Sequence, residues 1–357
     1  MDELGNNCCL KVGCGKFIYG NGCLRELEQE VSRFGGRPLF IGGVTALRKV
    51  FELTSRETYE ADGKICSHTG HCSRQWAKHY AKLAAENNST VIVAVGGGKC
   101  IDLAKCVSVY SGLPIITVPT SIATCAATSA VCIMYDDNGK ADGSVPMSRE
   151  VEVCIADTDI ILHAPKRLLA AGIFDSLAKL PEVMHNTVIE TYRDCPLNQY
   201  ISVANSKIIY EFLSQEGPRA YREGTGYERF QDLILTNLLL TSVVSGFSSG
   251  SGQLALAHGL YDFMRRNFPE TSAPSLHGEI VAVGVLMQFT FNGESEEHVE
   301  MYRNLMKEMG VPVSLGQIGF CDSPENRELL IDYLIKNASN GKEMDKNKLE
   351  TSIDVIL

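Results

Sequence analysis

Short, nearly unbroken apolar runs punctuate the first part of the chain, at residues 38–42, 90–95, 114–118, 130–135 and 152–156. Runs of that length, bounded by Gly, Pro and polar residues, predict strands. The stretches between them carry helical spacing, the pattern of crossover helices joining strands of a largely parallel sheet. Ser73 is placed to cap a helix over residues 74–87, in which Trp76, Tyr80, Leu83 and Ala84 share a face. Beyond Ala164 the period changes. Residues 231–244, 278–289 and 298–309 repeat apolar positions at close to 3.6, and no strand pattern competes with them. The expectation is an α/β domain over residues 1–162 and an all-helical domain over 163–357, hinged at Ala164-Pro165.

Residues 113–135 carry no charge and match the roughly 20 residues of a bilayer span. Pro114 and Pro119, with the hydroxyls of Thr117, Thr120, Ser121, Thr124, Thr128 and Ser129, break that stretch into strand, loop and strand. No membrane segment is expected. At 357 residues, two cores are the natural division, and 45% hydrophobic with 21% charged residues excludes a disordered or fibrous chain. A net charge of −10 with scattered Lys and Arg argues against nucleic-acid binding, which needs clustered cations to displace counterions. The 13 cysteines are odd in number and irregular in spacing, and MDELGNNCCLKVG lacks the pattern of a signal peptide, so reduced thiols in a cytoplasm are expected.

The run Val91-Ile92-Val93-Ala94-Val95 leads directly into Gly96-Gly97-Gly98-Lys99 and then Cys100-Ile101-Asp102-Leu103-Ala104-Lys105. Glycines let backbone approach a pyrophosphate, and the N–H groups of a helix start favour its charge. A tight turn without a ligand is the plainer alternative for the triplet alone, but the strand before it and the helix after it favour phosphate binding. It is neither a P-loop, since no Ser or Thr follows Lys99, nor the Gly-x-Gly-x-x-Gly fingerprint.

His258 and His277 each precede a glycine and Asp175 follows Gly172 by three residues, all on or beside helical stretches. Two imidazoles and a carboxylate leave one coordination position open, as a catalytic metal requires. Singly, each has a structural alternative: Asp175 as a helix cap, His258 as a core histidine, His277 as a surface residue ahead of a helix. A tighter cluster, Cys66, His68, His71 and Cys72, is spaced too closely to close a tetrahedral site and is expected in a solvated loop.

Taken in order, Gly96-Gly97-Gly98-Lys99-x-x-Asp102-x-Ala104-Lys105, Val118-Pro119-Thr120, Gly172-x-x-Asp175-x-Leu177-Ala178-Lys179, Ala257-His258, His277-Gly278-Glu279 and Met309-Gly310-Val311-Pro312 resemble the glycerol dehydrogenase branch of the iron-containing alcohol dehydrogenase family. The resemblance implies a dehydroquinate synthase-like fold, with an N-terminal Rossmann-like parallel-sheet domain, a C-terminal helical domain and the active site between them. It implies that Asp175, His258 and His277 hold one divalent metal, that NAD(P)(H) is the cofactor, and that the protein is a homo-oligomer acting on a small-molecule alcohol or carbonyl. The cofactor would meet Gly42, Gly43, Gly96, Gly97, Gly98, Lys99, Asp102, Thr120, Thr124, Ser129, Val131 and Tyr135. The substrate would meet Cys125 and Tyr261.

Departures from the family pattern refine the expectation. Iron-binding branches carry a histidine four residues after the aspartate, and here that position is Lys179, which favours zinc. Glycerol dehydrogenases resemble one another in an aspartate where this chain has Cys125, and Thr124-Cys125-Ala126-Ala127 is more similar to hydroxycarboxylate dehydrogenases. Gly42-Gly43 replaces the carboxylate that would repel a 2′-phosphate, so NADP(H) is permitted and mildly favoured. Tyr261 stands where a histidine is common, and Leu180-Pro181 replaces an aromatic pair, with Pro181 expected to start or kink a helix. The expected activity is interconversion of a small alcohol or 2-hydroxy acid with its 2-oxo acid, aldehyde or ketone. An NAD-linked glycerol dehydrogenase, a dehydroquinate synthase-like lyase and a nucleotide-binding remnant are the alternatives.

Overall fold

The computed structural model describes residues 9–54, 64–67, 72–136, 139–185, 187–248, 255–339 and 343–357. Its strands, in chain order, are β1 (Cys14–Gly20), β2 (Pro38–Gly42), β3 (Lys64–Ser67), β4 (Val91–Gly96), β5 (Ile115–Pro119), β6 (Val131–Tyr135), β7 (Ala141–Pro146) and β8 (Val151–Asp157). Six of them form one sheet in the order β1-β8-β5-β4-β2-β3, and every pairing in it is parallel. Crossovers include helices α1 (Leu27–Arg33), α2 (Val44–Leu53), α3 (Arg74–Glu86) and α4 (Gly98–Ser111).

Period-two alternation divides β4 between two cores. Val91, Val93 and Val95 pack with Leu27 of α1 and Val50 of α2, whereas Ile92 and Ala94 pack with Tyr80 of α3 and Leu103 of α4. The second core runs on without a break into the helical half of the molecule. Strands buried on both faces read as continuous apolar runs, which is why β2, β4 and β5 are legible in the sequence.

Three differences from the expected elements follow from burial. Residues 130–135 do form a strand, β6, but it pairs antiparallel with β7 outside the parallel sheet. Ile133 is exposed on it, so one of its faces is uncovered. β1 and β3 are the edge strands, and β1 is mostly half-buried or exposed, which removes the two-sided apolar signal. In α3 the buried positions are Ala77, Tyr80 and Ala84, so the inward face is rotated away from Trp76, although the Ser73 cap holds, its hydroxyl accepting from Trp76 N at 3.4 Å. Of the tight cysteine and histidine cluster, His68 and His71 lie outside the described residues, and the Cys66 side chain is likewise not described.

After β8 the described residues are helical or irregular. Besides two four-residue helices, Thr158–Ile161 and Pro269–Ser272, they form α5 (Lys166–Leu177), α6 (Lys179–Val183), α7 (Leu197–Glu223), α8 (Phe230–Phe247), α9 (Leu256–Asn267), α10 (His277–Asn292), α11 (Glu296–Glu308), α12 (Pro324–Asn337) and α13 (Lys346–Asp354). The break between α5 and α6 falls where Pro181 lacks the N–H that would bond to Leu177. Helix α10 is buried almost all round, from Gly278 to Phe289, and forms the centre of the helical half. Helix α8 is long and apolar enough to cross a membrane by composition, and half of it is buried in the protein. Its middle, Leu235–Leu240, winds as a π-helix. Carbonyls along it accept side-chain hydrogen bonds, from Thr128 at Leu238, Asn205 at Leu240 and Thr241 at Thr236.

Candidate active site

Glycines let three helices meet closely. A Cβ on Gly172 of α5 would lie 1.9 Å from the Ile122 carbonyl oxygen, and one on Gly278 of α10 would lie 1.8 Å from that of Ala171. A Cβ on Gly284 of α10 would lie 2.7 Å from Cα of Ala257. Any side chain at these positions would push apart α5, α9, α10 and the loop after β5. Because they are glycines, Asp175 on α5, His258 on α9 and His277 at the start of α10 converge.

Asp175 Oδ1 lies 3.2 Å from Nε2 of both His258 and His277, and the three ligand atoms lie within 4.8 Å of one another. Nitrogen and oxygen ligands about 2.0–2.1 Å from a tetrahedral zinc would stand roughly 3.3 Å apart, so the observed spacing fits such an ion. Asp175 is an interior residue of α5, not a cap, and its side chain is 4% exposed against 14% for His258 and 27% for His277, so the cluster opens toward His277. Burial opposes the Asp175 charge, but His277, the hydrogen bonds from both histidines and Lys179 hold its pKa well below the usual carboxylate range. Burial pushes His277 down against the pull of Asp175. For His258, burial is outweighed by Glu182 and Asp175, and its pKa is raised.

Glu182 is a site residue that sequence reasoning missed. It is buried on α6, its Oε2 lies 2.6 Å from His258 Nδ1, and its Oε1 accepts from His258 N at 2.8 Å. The pair fixes the ring with Nε2 toward Asp175, the carboxylate–histidine arrangement that orients metal ligands. Its spacing of seven from Asp175, two helical turns, was the available signal. Glu182→Gln is expected to weaken metal affinity by about 10- to 100-fold, read by competition with a chromogenic chelator. Glu279 instead caps the helix that His277 begins. It accepts from Leu276 N at 2.7 Å at the start of α10, and from Arg167 of α5 at 2.5 and 2.6 Å.

The glycine turn lies at the carboxyl end of β4, where open α/β sheets bind ligands. Gly96 has φ +155°, and a Cβ there would meet Cys100 at 3.0 Å. A Cβ on Gly98 would meet Thr124 Oγ1 at 3.0 Å, whereas one on Gly97 would meet nothing within 4 Å. Gly97 therefore has no packing reason to be glycine. No side chain caps α4 and its first turn carries no acid, which leaves N–H groups for an anion. Thr120 N donates to Gly96 O at 3.1 Å, so Thr120, Thr124 and the three glycines lie together.

The other sequence-predicted cofactor residues divide into groups. Gly42 ends β2 beside Val95, and a Cβ there would lie 2.7 Å from Leu47 and from the Val95 carbonyl oxygen, so packing alone demands glycine. Gly43 caps α2 in an extended conformation with open space around it. Asp102 and Ser129 are buried against Lys105, with Asp102 Oδ1 at 2.8 Å and the Ser129 hydroxyl at 3.3 Å from Nζ, which also reaches Val131 O. Those three tie β6 to α4. Tyr135 goes with the metal cluster instead.

A chain of contacts links the two halves of the site. The Lys99 ammonium lies 4.7 Å from the centre of the Tyr135 ring, the Tyr135 and Tyr261 hydroxyls are 2.7 Å apart, and the Tyr261 ring is 4.2 Å from that of His277. Cys125 lies near Lys179 and Asp175, and burial pushes its thiol up to about 11, so it is a neutral group.

The profile of the iron-containing alcohol dehydrogenase family matches residues 14–158. Glycerol dehydrogenase of Thermotoga maritima is 29% identical over 325 residues, 88% of this chain and 86% of the relative. Hydroxycarboxylate dehydrogenase A of Escherichia coli is 29% identical over 230 residues, 64% and 62% of the two chains. The crystal structure of glycerol dehydrogenase from Schizosaccharomyces pombe superposes with a TM-score of 0.82 at 20% identity, covering 98% of this chain and 91% of that one, and shows the same fold. Residues 14–158 thus match the iron-containing alcohol dehydrogenase family, and the chain is similar over most of its length to glycerol dehydrogenases.

Proposed function

We propose that this protein is a metal-dependent NAD(P)(H) oxidoreductase that interconverts a small 2-hydroxy acid or alcohol with its carbonyl. The observation that carries the reading is the contact chain from Lys99 through Tyr135 and Tyr261 to His277, which makes the glycine turn and the Asp-His-His cluster one site. Asp175, His258 and His277 would hold the ion, and Gly96, Gly97, Gly98, Thr120 and Thr124 the cofactor's phosphate end. Bound there, the ion would supply a Lewis acid for the substrate oxygen and the nicotinamide would supply or take the hydride. The chain's own work is positional: Glu182 orients the His258 imidazole, Glu279 caps the helix that carries His277, and Tyr261 packs edge-on against His277. The division at residue 162 belongs to the same reading, with the cleft between a nucleotide half and a metal half.

Zinc is favoured over iron because Lys179, a cation, stands where a fourth imidazole would otherwise ligate. NADP(H) is favoured mildly because Gly43 offers no carboxylate to a 2′-phosphate. Free thiols throughout the described cysteines support a reducing compartment. Leu197, Ile201 and Ile208 expose one apolar stripe of α7, which supports a homo-oligomer, to be read by light scattering. A glycerol dehydrogenase remains the second reading, favoured by the names of relatives. The neutral, half-buried Cys125 counts against it, since a thiol grips polyol hydroxyls less well than a carboxylate. Incubation with NADPH or NADH and a panel of 2-oxo acids, aldehydes and ketones, and in reverse with glycerol, separates them. Oxidation of the nicotinamide by 2-oxo acids is expected; no consumption with any carbonyl or alcohol rules out the oxidoreductase.

A further inference from the structure

Helix α9 carries His258 as its third residue, yet nothing local caps it. Ala255 offers no side-chain acceptor, and the first bond inside the helix runs from Gly259 N to Ala255 O at 2.8 Å. The N–H groups of Leu256, Ala257 and His258 therefore have no partner within α9. Leu256 is fully buried, where an unmet donor is costly. Two side chains from other helices supply the acceptors. Glu182 Oε1 of α6 takes His258 N at 2.8 Å, and Gln288 Oε1 of α10 takes Leu256 N at 2.8 Å.

Gln288 is fully buried, and its amide is used to the full. The oxygen is committed to Leu256. The nitrogen, which can only donate, gives its hydrogens to Asn292 Oδ1 at 2.9 Å and His185 Nδ1 at 3.0 Å. Asn292 in turn donates to Pro181 O at 2.8 Å, and His185 N donates to Glu182 O at 3.1 Å. These bonds close a ring that runs from Gln288 to Leu256, along the first turn of α9 to His258, across to Glu182, on to His185 and back to Gln288. One turn earlier on α10, Gly284 admits the Ala257 backbone, since a Cβ there would lie 2.7 Å from Ala257 Cα. Gly284 thus sets how near α9 lies to α10, and Gln288 sets where along α10 it begins. We infer that Gln288 is a positioning residue of the metal centre, holding α9 and α6 in the register that puts His258 Nε2 3.2 Å from Asp175 before an ion binds. This rests on the metal-dependent reading and adds to it a residue that touches no ligand atom.

The test reads metal affinity and geometry as well as turnover. Gln288→Met fills a similar volume without the acceptor or the two donors, and Gln288→Glu keeps the acceptor for Leu256 N. Leu349→Ala weakens the same core from α13, outside the ring. Zinc affinity is measured by competition with a chromogenic chelator, and ligand geometry by the visible absorption bands of the cobalt-loaded proteins. Gln288→Met is expected to weaken zinc binding by about 10- to 100-fold and to shift the cobalt bands, with Gln288→Glu within about 3-fold of wild type. Leu349→Ala should lower the melting temperature with neither change. In metal-free wild-type protein, amide exchange at Leu256 and His258 should already be slow, because α9 is in place before the ion arrives. Fast exchange there overturns the positioning role without need of a variant. Wild-type affinity and bands in Gln288→Met, a loss in Gln288→Glu as large as in Gln288→Met, or an equal loss in Leu349→Ala would also overturn it, and each leaves the metal reading standing. Wild-type protein that takes up neither zinc nor cobalt overturns the metal reading itself, and the positioning role with it.

Discussion

Asp175→Asn is expected to lower turnover by about 1,000-fold or more, since loss of a Lewis-acid site removes several kcal/mol of stabilisation from the reacting oxygen. Asn fills the same volume on α5, so the helix contact at Gly172 is kept and the fold should survive. His258→Ala should act alike, and there it also strands the buried Glu182 carboxylate that the ring now satisfies. Nucleotide binding, followed by quenching or calorimetry, should persist in both variants, because the glycine turn belongs to β4 and α4. Turnover unchanged in Asp175→Asn, or in wild-type protein stripped of metal by a chelator, contradicts the metal site.

The second large effect concerns cofactor choice. Gly43→Asp should shift the ratio of kcat/KM for NADH over NADPH by about 100-fold, because a carboxylate there accepts from ribose hydroxyls and repels a 2′-phosphate. The position tolerates the change: its φ of −69° is ordinary, no atom lies within 4 Å of a new Cβ, and Asp is a preferred cap for α2. The fold should therefore be no less stable, which separates a specificity effect from a structural one. The equivalent change at Gly42 would collide with Leu47 and the Val95 carbonyl and would report only on folding. A ratio that does not move means the ribose lies elsewhere.

Much of the fold is legible in the chain because its central strands are buried on both faces and its long helices keep one period. Residues 38–42 appear as expected, and 90–95, 114–118 and 152–156 are matched by β4, β5 and β8 to within a residue. Edge strand β1 escapes because partial exposure erases the continuous apolar run. β6 is recognised as a strand but assigned to the wrong sheet, since pairing partners are not encoded in a five-residue pattern. Lys105 redirects Asp102 and Ser129 in the same way: both are turned inward onto its ammonium, Asp102 by an ion pair and Ser129 by a hydrogen bond.

For the site, the sequence by itself determined the glycine turn between a strand and a helix and offered three candidate ligands, whose roles, like the lysine in place of a fourth, came from the family resemblance. The turn is a local statement, fixed by backbone geometry. Only the tertiary structure decided that Asp175 and His277, 102 residues apart, stand 3.2 Å from each other, that Glu182 holds His258, and that Tyr135 and Tyr261 join the two halves. The physical reason is packing: convergence depends on how closely α5, α9 and α10 approach, which the glycines at 172, 278 and 284 permit but which only the assembled core enforces.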